Sequence, residues 1–227
     1  MEKSKIRRLV ITIDGPAGAG KSTVAKAAAE KLGLPYLDTG AIYRAVAWML
    51  TQEGIAPNET EKVLSAIKNI SVSLSGPKVS VNGRDVTAEI RTPVIDSAVS
   101  SFSALKTVRD ALMGFQRKEA SDGLVADGRD MGTVVFPDAD LKIFLTADAE
   151  ERARRRYKER IERGEDADFE EILQYVNERD LYDMNREIAP LRPAQGCVII
   201  DSTKMTIEEV TDVIVSLAME LGADKEN

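Results

Sequence analysis

Eight residues near the start of the chain, Gly15-Pro16-Ala17-Gly18-Ala19-Gly20-Lys21-Ser22, fit the pattern G-x-x-x-x-G-K-[ST]. Glycines at these places let successive backbone N–H groups converge on one anionic group, and the positive end of a following helix adds to the pull. Lys21 then reaches the β- and γ-phosphates of a bound nucleotide, and the Ser22 hydroxyl ligates Mg²⁺. Thr23 closes this ATP-binding stretch as a residue of the helix surface, not as a second metal ligand. Such a loop specifies a nucleoside triphosphate and leaves the second substrate open, because ATPases, GTPases and small-molecule kinases all carry it.

Other side chains narrow the choice. No Asn-Lys-x-Asp segment of the guanine-reading kind occurs, whereas arginines recur at separated loci after the loop. Joining a donor and an acceptor phosphate brings several negative charges together, and guanidiniums offset that repulsion. In the run Arg152-Ala153-Arg154-Arg155-Arg156 consecutive helical residues diverge by about 100°. Arg152 and Arg156 therefore share a face with Arg155 at its edge, suited to closing over ATP phosphates and excluding water, while the remaining arginine pairs with Glu150, Glu151 or Glu159. Arg179, Asp183 and Arg186 fall on one helical stripe, ordinarily a surface ion-pair ladder. Asp14 and Asp127 stand at strand ends near the expected metal; Asp127 either orders Mg²⁺ through water or serves as a structural cap.

Short apolar runs at Leu9–Ile13, Leu124–Ala126, Leu141–Leu145 and Val198–Ile200, with Pro35-Tyr36-Leu37 as a fifth, alternate with longer helical patterns and predict a parallel sheet flanked by helices. Between about Glu53 and Val86 the rhythm changes. A helix near Glu59–Asn69 precedes short alternating segments at Ile70–Leu74 and Lys78–Val81, and Asn82-Gly83 signals a hairpin, so a small antiparallel sheet is inserted in the core. Two charged helical patterns, Arg152–Arg163 and Asp168–Glu187, are joined by Gly164-Glu165-Asp166-Ala167 as a flap. The tail Gly222–Asn227 is expected to fray.

Composition narrows the classes further. The 227 residues carry a net charge of −7, which opposes a general nucleic-acid surface. No run has the length of a secretory signal or a bilayer span. Histidine is absent and the single cysteine, Cys197, excludes an internal disulfide; its place before a strand suggests small buried packing.

The segments Ile11-Thr12-Ile13-Asp14-Gly15-Pro16, Asp38-Thr39-Gly40-Ala41-Ile42-Tyr43-Arg44, Ala126-Asp127-Gly128-Arg129-Asp130-Met131-Gly132-Thr133 and Asn185-Arg186-Glu187-Ile188-Ala189-Pro190-Leu191 resemble, in order, those of bacterial cytidylate kinases. The resemblance implies the P-loop nucleoside monophosphate kinase fold: one α/β kinase domain over 1–227, with a core at 1–38, 97–150 and 188–227, a CMP-binding region at 39–96, and a lid with adjoining helices at 151–187. The implied reaction moves the γ-phosphate of ATP, with Mg²⁺, to CMP or dCMP. The implied setting is a cytoplasmic monomer without nucleic-acid or membrane partners.

Residue by residue, the resemblance sets Asp130 against the cytosine N4 amine, and Arg109 with Ser100, or its neighbour Ser101, against N3 and O2. Uracil would turn its O4 acceptor to Asp130 and leave a buried carboxylate unpaired. Arg44, Arg129 and Arg186 are implied to hold the acceptor phosphate, flanked by Thr39 and Tyr43, with Thr39 where many relatives have serine. Arg179 is implied to bind phosphate and Asp183 to receive the ribose hydroxyls. Leu181, Tyr182 and Met184 depart from the more basic segment of some relatives. Lys21, Arg129, Arg186, Arg152 and Arg156 form the implied catalytic set, with no general base required because the acceptor phosphate is already ionised. Arg192-Pro193 or Ser202-Thr203 lies toward the adenine.

Overall fold

In the computed structural model the described residues run from Arg8 to Asp224. Two compact units emerge, one from Met1–Leu37 with Glu119–Asn227 and the other from Asp38–Lys118.

The first unit is built on a five-stranded sheet. Its strands are β1 (Val10–Asp14), β2 (Tyr36–Asp38), β6 (Leu124–Gly128), β7 (Leu141–Thr146) and β8 (Val198–Asp201), in the order β2-β6-β1-β7-β8. β1 pairs in parallel with β6 and β7, and β7 in parallel with β8. Strands covered on both faces need apolar side chains on both, and Leu9, Ile11, Ile13, Val125, Ile143 and Leu145 are buried together. Helix α1 (Lys21–Leu32) packs here through Ala25, Ala28 and Ala29, whose small side chains let it approach closely, and α8 (Ile207–Asp224) adds Val210, Ile214 and Ala218. Helices α6 (Ala149–Glu162) and α7 (Phe169–Asn185) close on each other over a separate patch of Ala153, Ile172 and Val176. Asp168 caps α7 by accepting the Glu171 N–H at 2.9 Å.

The second unit centres on α2 (Thr39–Gln52), started by the Asp38 side chain accepting the Ala41 N–H at 2.8 Å. Its nearly continuous apolar run is buried because structure covers it on several sides. These neighbours include a 3₁₀ turn at Glu89–Arg91, α4 (Pro93–Ser103), and β3 (Val72–Ser75) with β4 (Lys78–Val81). β4 also pairs antiparallel with β5 (Arg84–Asp85) through the Asn82-Gly83 turn, where both residues have positive φ, 49° and 80°. Val63 and Ile67 of α3 (Thr60–Ile67) and Val108 and Leu112 of α5 (Lys106–Lys118) are buried, and these two helices contact each other.

Four sequence expectations change. By their contacts α4 and α5 group with the inserted sheet, so residues 97–118 belong to the second compact unit and not to the core assigned them at 97–150. The tail helix continues through Gly222, which is buried, to Asp224; the frayed stretch expected there extends to residues 225–227, which lie outside the described residues. Cys197 is only half-buried, because the strand it precedes is a sheet edge with Val198 and Ile199 exposed. Arg186 lies just past the end of α7 with extended ψ of 141°, so the predicted helical stripe ends at Asp183. No helix among the described residues is long and apolar enough to cross a membrane.

Candidate active site

Every strand of the large sheet ends on a chemically loaded residue: Asp14 on β1, Asp38 on β2, Gly128 before Arg129 on β6, Thr146 on β7 and Asp201 on β8. In open parallel sheets the carboxyl edge, where chain order reverses beside the central strand, is the usual ligand crevice. The Gly15–Ser22 loop leaves β1 at that edge. At Gly15, φ is 152° and a Cβ would fall 1.9 Å from the Leu145 carbonyl oxygen, so only glycine lets the loop start there.

Lys21 is buried at the loop's end, and its ammonium donates to the Pro16 carbonyl at 2.7 Å. Burial, then the nearby Arg129 guanidinium, pushes its pKa well below the ordinary lysine value, with Asp127 and Asp14 opposing. The Ser22 hydroxyl donates to Asp127 Oδ2 at 2.8 Å, and the Tyr36 hydroxyl donates to Asp127 Oδ1 at 2.7 Å. Ser22 and Asp127 thus offer adjacent hard oxygens of the kind Mg²⁺ takes when phosphates and waters complete its shell. Thr23 is exposed on α1.

The arginines and carboxylates read from β6 and α7 come together in the first unit. Asp183 Oδ2 lies 3.0 Å from Arg129 Nε and 4.0 Å from Arg179 Nε, while its Oδ1 is 4.0 Å from Arg186 Nη1. Burial alone would raise the Asp183 carboxyl, but Arg129, Arg179 and Arg186 outweigh it and hold the pKa below its ordinary value. Asp130 is buried beside them, its Oδ1 3.8 Å from Arg186 Nη2. Arg186 Nε donates to the Ala189 carbonyl at 2.6 Å, and Ala189 holds that position at a positive φ of 50°.

The arginines expected to form a lid divide. Arg156 lies over the Tyr175 ring at 5.2 Å, and Arg179 donates to the Tyr175 hydroxyl at 3.2 Å, so an aromatic ring links the two. Arg152 does not sit on an open lid face: it is buried, bonded to the Ala147 and Ala17 carbonyls and to Asp180. Arg155 donates to the Ser202 carbonyl at 2.7 Å, and the Ser202 hydroxyl donates to the Ala19 carbonyl at 3.4 Å, which brings this half of the adenine expectation against the phosphate loop. Arg154 pairs with Glu150 in solvent.

The second unit carries the remaining candidates. Arg109 is buried over the Tyr43 ring at 5.4 Å and donates to the Ser103 carbonyl at 3.0 Å. Arg44 is ion-paired with Asp96 and donates to the Ile90 carbonyl at 3.4 Å. Thr39 is buried at the start of α2, and both Ser100 and Ser101 are half-buried on α4. Sequence reading passed over Tyr36, Asp180 and Asp96, none of which carries a motif; each is recognisable only by the functional side chain it holds.

Comparison with known proteins covers the span that holds these residues. The family model described as cytidylate kinase matches residues 11–220. The chain is 46% identical over 217 residues to a cytidylate kinase of Caldicellulosiruptor saccharolyticus, covering 93% of this chain and 96% of that one. It is 47% identical over 203 residues to a cytidylate kinase of Caldanaerobacter subterraneus, covering 89% and 91%. An uncharacterized protein from Eubacterium ventriosum shares the fold alone, with a TM-score of 0.52, 15% identity and coverage of 94% and 99%. With a phosphate loop, an Arg129-Asp130 turn and the arginine-ringed Asp183 all inside the matched span, the chain belongs to the cytidylate kinase family.

Proposed function

We propose that the protein transfers the γ-phosphate of ATP to CMP or dCMP, giving ADP and CDP or dCDP, within pyrimidine nucleotide metabolism. The observation that carries this reading is the crowding of Arg129, Arg179 and Arg186 around the carboxylate of Asp183, with the Lys21 ammonium lowered in pKa by burial and then by Arg129. Three guanidiniums against the two carboxylates of Asp183 and Asp130 leave positive charge in excess, and dianionic phosphates relieve it.

The roles follow from the chemistry of each group. The loop N–H groups and Lys21 bind the ATP phosphates, and Ser22 with Asp127 would hold Mg²⁺, which supplies charge neutralisation when bound. Arg129 and Arg186 hold the acceptor phosphate, and Arg179 with Arg156 meets the transferring group. Asp130 accepts the cytosine N4 amine, and Asp183 accepts ribose hydroxyls. In the second unit Ser100 and Arg109 are assigned to the base, and Arg44, Thr39 and Tyr43 to the acceptor phosphate. Arg152 serves the lid by fixing α6 to α7 and to the loop. An ionised phosphate is a nucleophile without a base, so catalysis is alignment plus neutralisation.

ADP release measured with CMP, dCMP, UMP, AMP and no acceptor tests the reading. CMP or dCMP should drive turnover far above UMP, and Asp130→Asn should narrow that preference more than it lowers the melting temperature. ATP hydrolysis indifferent to CMP would remove the assignment.

A further inference from the structure

We propose that Asp14 is a positioning residue for base selection: its carboxylate clamps the turn that carries Arg129 and Asp130 to the strand that carries the phosphate loop. Oδ1 accepts the Met131 N–H at 2.8 Å and Oδ2 accepts the Gly132 N–H at 2.7 Å. These residues directly follow Asp130 and open a π-helical turn, Met131–Val135, in which the Asp130 carbonyl accepts N–H groups from Val134 at 2.9 Å and Val135 at 3.2 Å. Asp14 directly precedes Gly15, whose backbone already abuts the Leu145 carbonyl.

The clamp has no slack on either side. A Cβ on Gly132 would lie 2.9 Å from Thr12 Oγ1, 3.2 Å from the Ala194 Cβ and 3.4 Å from Asp14 Oδ2, so the turn rests directly on β1. Two consecutive N–H groups aimed at one side chain require two acceptor oxygens in a fixed fork. Aspartate offers that fork, whereas asparagine would turn an N–H₂ toward one of the two donors. The charge is kept despite its cost. Burial pushes the Asp14 carboxyl up to about 6, against both N–H bonds; Asp130 adds to the rise and Lys21 opposes it. A side chain needed only to fill space would not hold an ionisable group there. Because Arg129 reaches Asp183 at 3.0 Å and Asp130 faces Arg186 at 3.8 Å, a small displacement of residues 131 and 132 moves both functional side chains at once.

The selectivity consequence rests on the reading of Asp130 as the receiver of the N4 amine, and the experiment separates the two. The preference for CMP over UMP, as a ratio of kcat/KM, is measured for wild type, Asp14→Asn and Gly132→Ala, with the KM for ATP and the melting temperature alongside. Both variants should lose at least about tenfold of the preference, the KM for ATP staying within about twofold, since misplacing a reading group costs selectivity and not uniform binding. An unchanged preference in folded Asp14→Asn overturns the proposal. Should the variants fail to fold, NMR of the wild type decides: the Met131 and Gly132 amide protons should both be protected from exchange and respond to acid with one common midpoint, and free exchange or separate midpoints overturn the clamp. A wild type that uses CMP but does not prefer it to UMP removes the Asp130 assignment instead, and the amide titration still decides whether the clamp exists.

Discussion

Arg152 straddles Asp180, with Nη1 3.1 Å from Oδ1 and Nη2 2.6 Å from Oδ2. The same guanidinium gives Nε to the Ala147 carbonyl at 2.8 Å and Nη1 to the Ala17 carbonyl at 3.1 Å. One side chain therefore ties α6 to α7 and to the phosphate loop. Its place at the head of an arginine run suggested a group that sweeps over substrate, whereas the geometry makes it a fixed tie.

Arg152→Ala should lower stability by about 3 kcal/mol, because it leaves the Asp180 carboxylate largely buried without its partner. Arg152→Lys should recover little of this, since one ammonium cannot reproduce a two-pronged grip. Urea unfolding of both variants gives the comparison; a loss under about 1 kcal/mol in the alanine variant would mark the tie as slack.

Tyr36→Phe removes the hydroxyl that donates to Asp127 Oδ1, while the Ser22 bond to Oδ2 is kept. Groups that orient a metal ligand commonly matter about tenfold or more to affinity, so the Mg²⁺ concentration for half-maximal ADP release should rise several-fold. The folded state should lose only about 1 kcal/mol. Metal dependence identical to wild type would leave Tyr36 as packing alone.

Lys21→Met should abolish most transfer and yet melt no lower than wild type. A lysine whose folded pKa lies below its unfolded value binds fewer protons in the native state at pH values between the two. Charging it inside the fold therefore opposes stability, and removing the group relieves that opposition. Differential scanning calorimetry near neutral pH checks the sign, and a clearly lowered melting temperature would contradict it.

Asp14 predicts a pH dependence of the opposite kind from ordinary paired carboxylates. Its folded pKa is raised from 3.8 to about 6, so between those values the native state binds more protons than the unfolded chain. Its contribution to stability consequently falls as pH rises across that window, by about 3 kcal/mol in total, and stays constant above it. Asp14→Asn should lack this component. Unfolding curves at pH 5 and pH 7.5 for both proteins isolate it as the difference of differences, which cancels every other titrating group. Parallel pH responses of the two would show that Asp14 does not titrate in this range.

What the sequence disclosed was local. The phosphate loop spans eight adjacent residues, the Asn82-Gly83 hairpin two, and the central strands are unbroken apolar runs, so a short window contains each complete signal. The missed relationships join distant parts of the chain: Arg152 to Asp180 across 28 residues, Arg155 to Ser202 across 47, Arg44 to Asp96 across 52, and Tyr36 to Asp127 across 91. No spacing rule links such partners, because tertiary packing alone sets the distance between them. The π-helical turn was equally hidden, since Met131–Val135 reads as an ordinary apolar stretch and gains its form from the Asp14 clamp. Arg186 shows the intermediate case: its company with Asp183 was legible from spacing, whereas the helix end between them was not.

The margins of the large sheet carry a last consequence. β2 has three residues and β8 four, and both lie at the rims, where unpaired main-chain groups invite a foreign strand. A ladder needs several rungs before a stray peptide gains more by zipping on than it loses in freedom. With rims this brief, Ile199 can stand 61% exposed and the protein should still resist edge-to-edge stacking at high concentration.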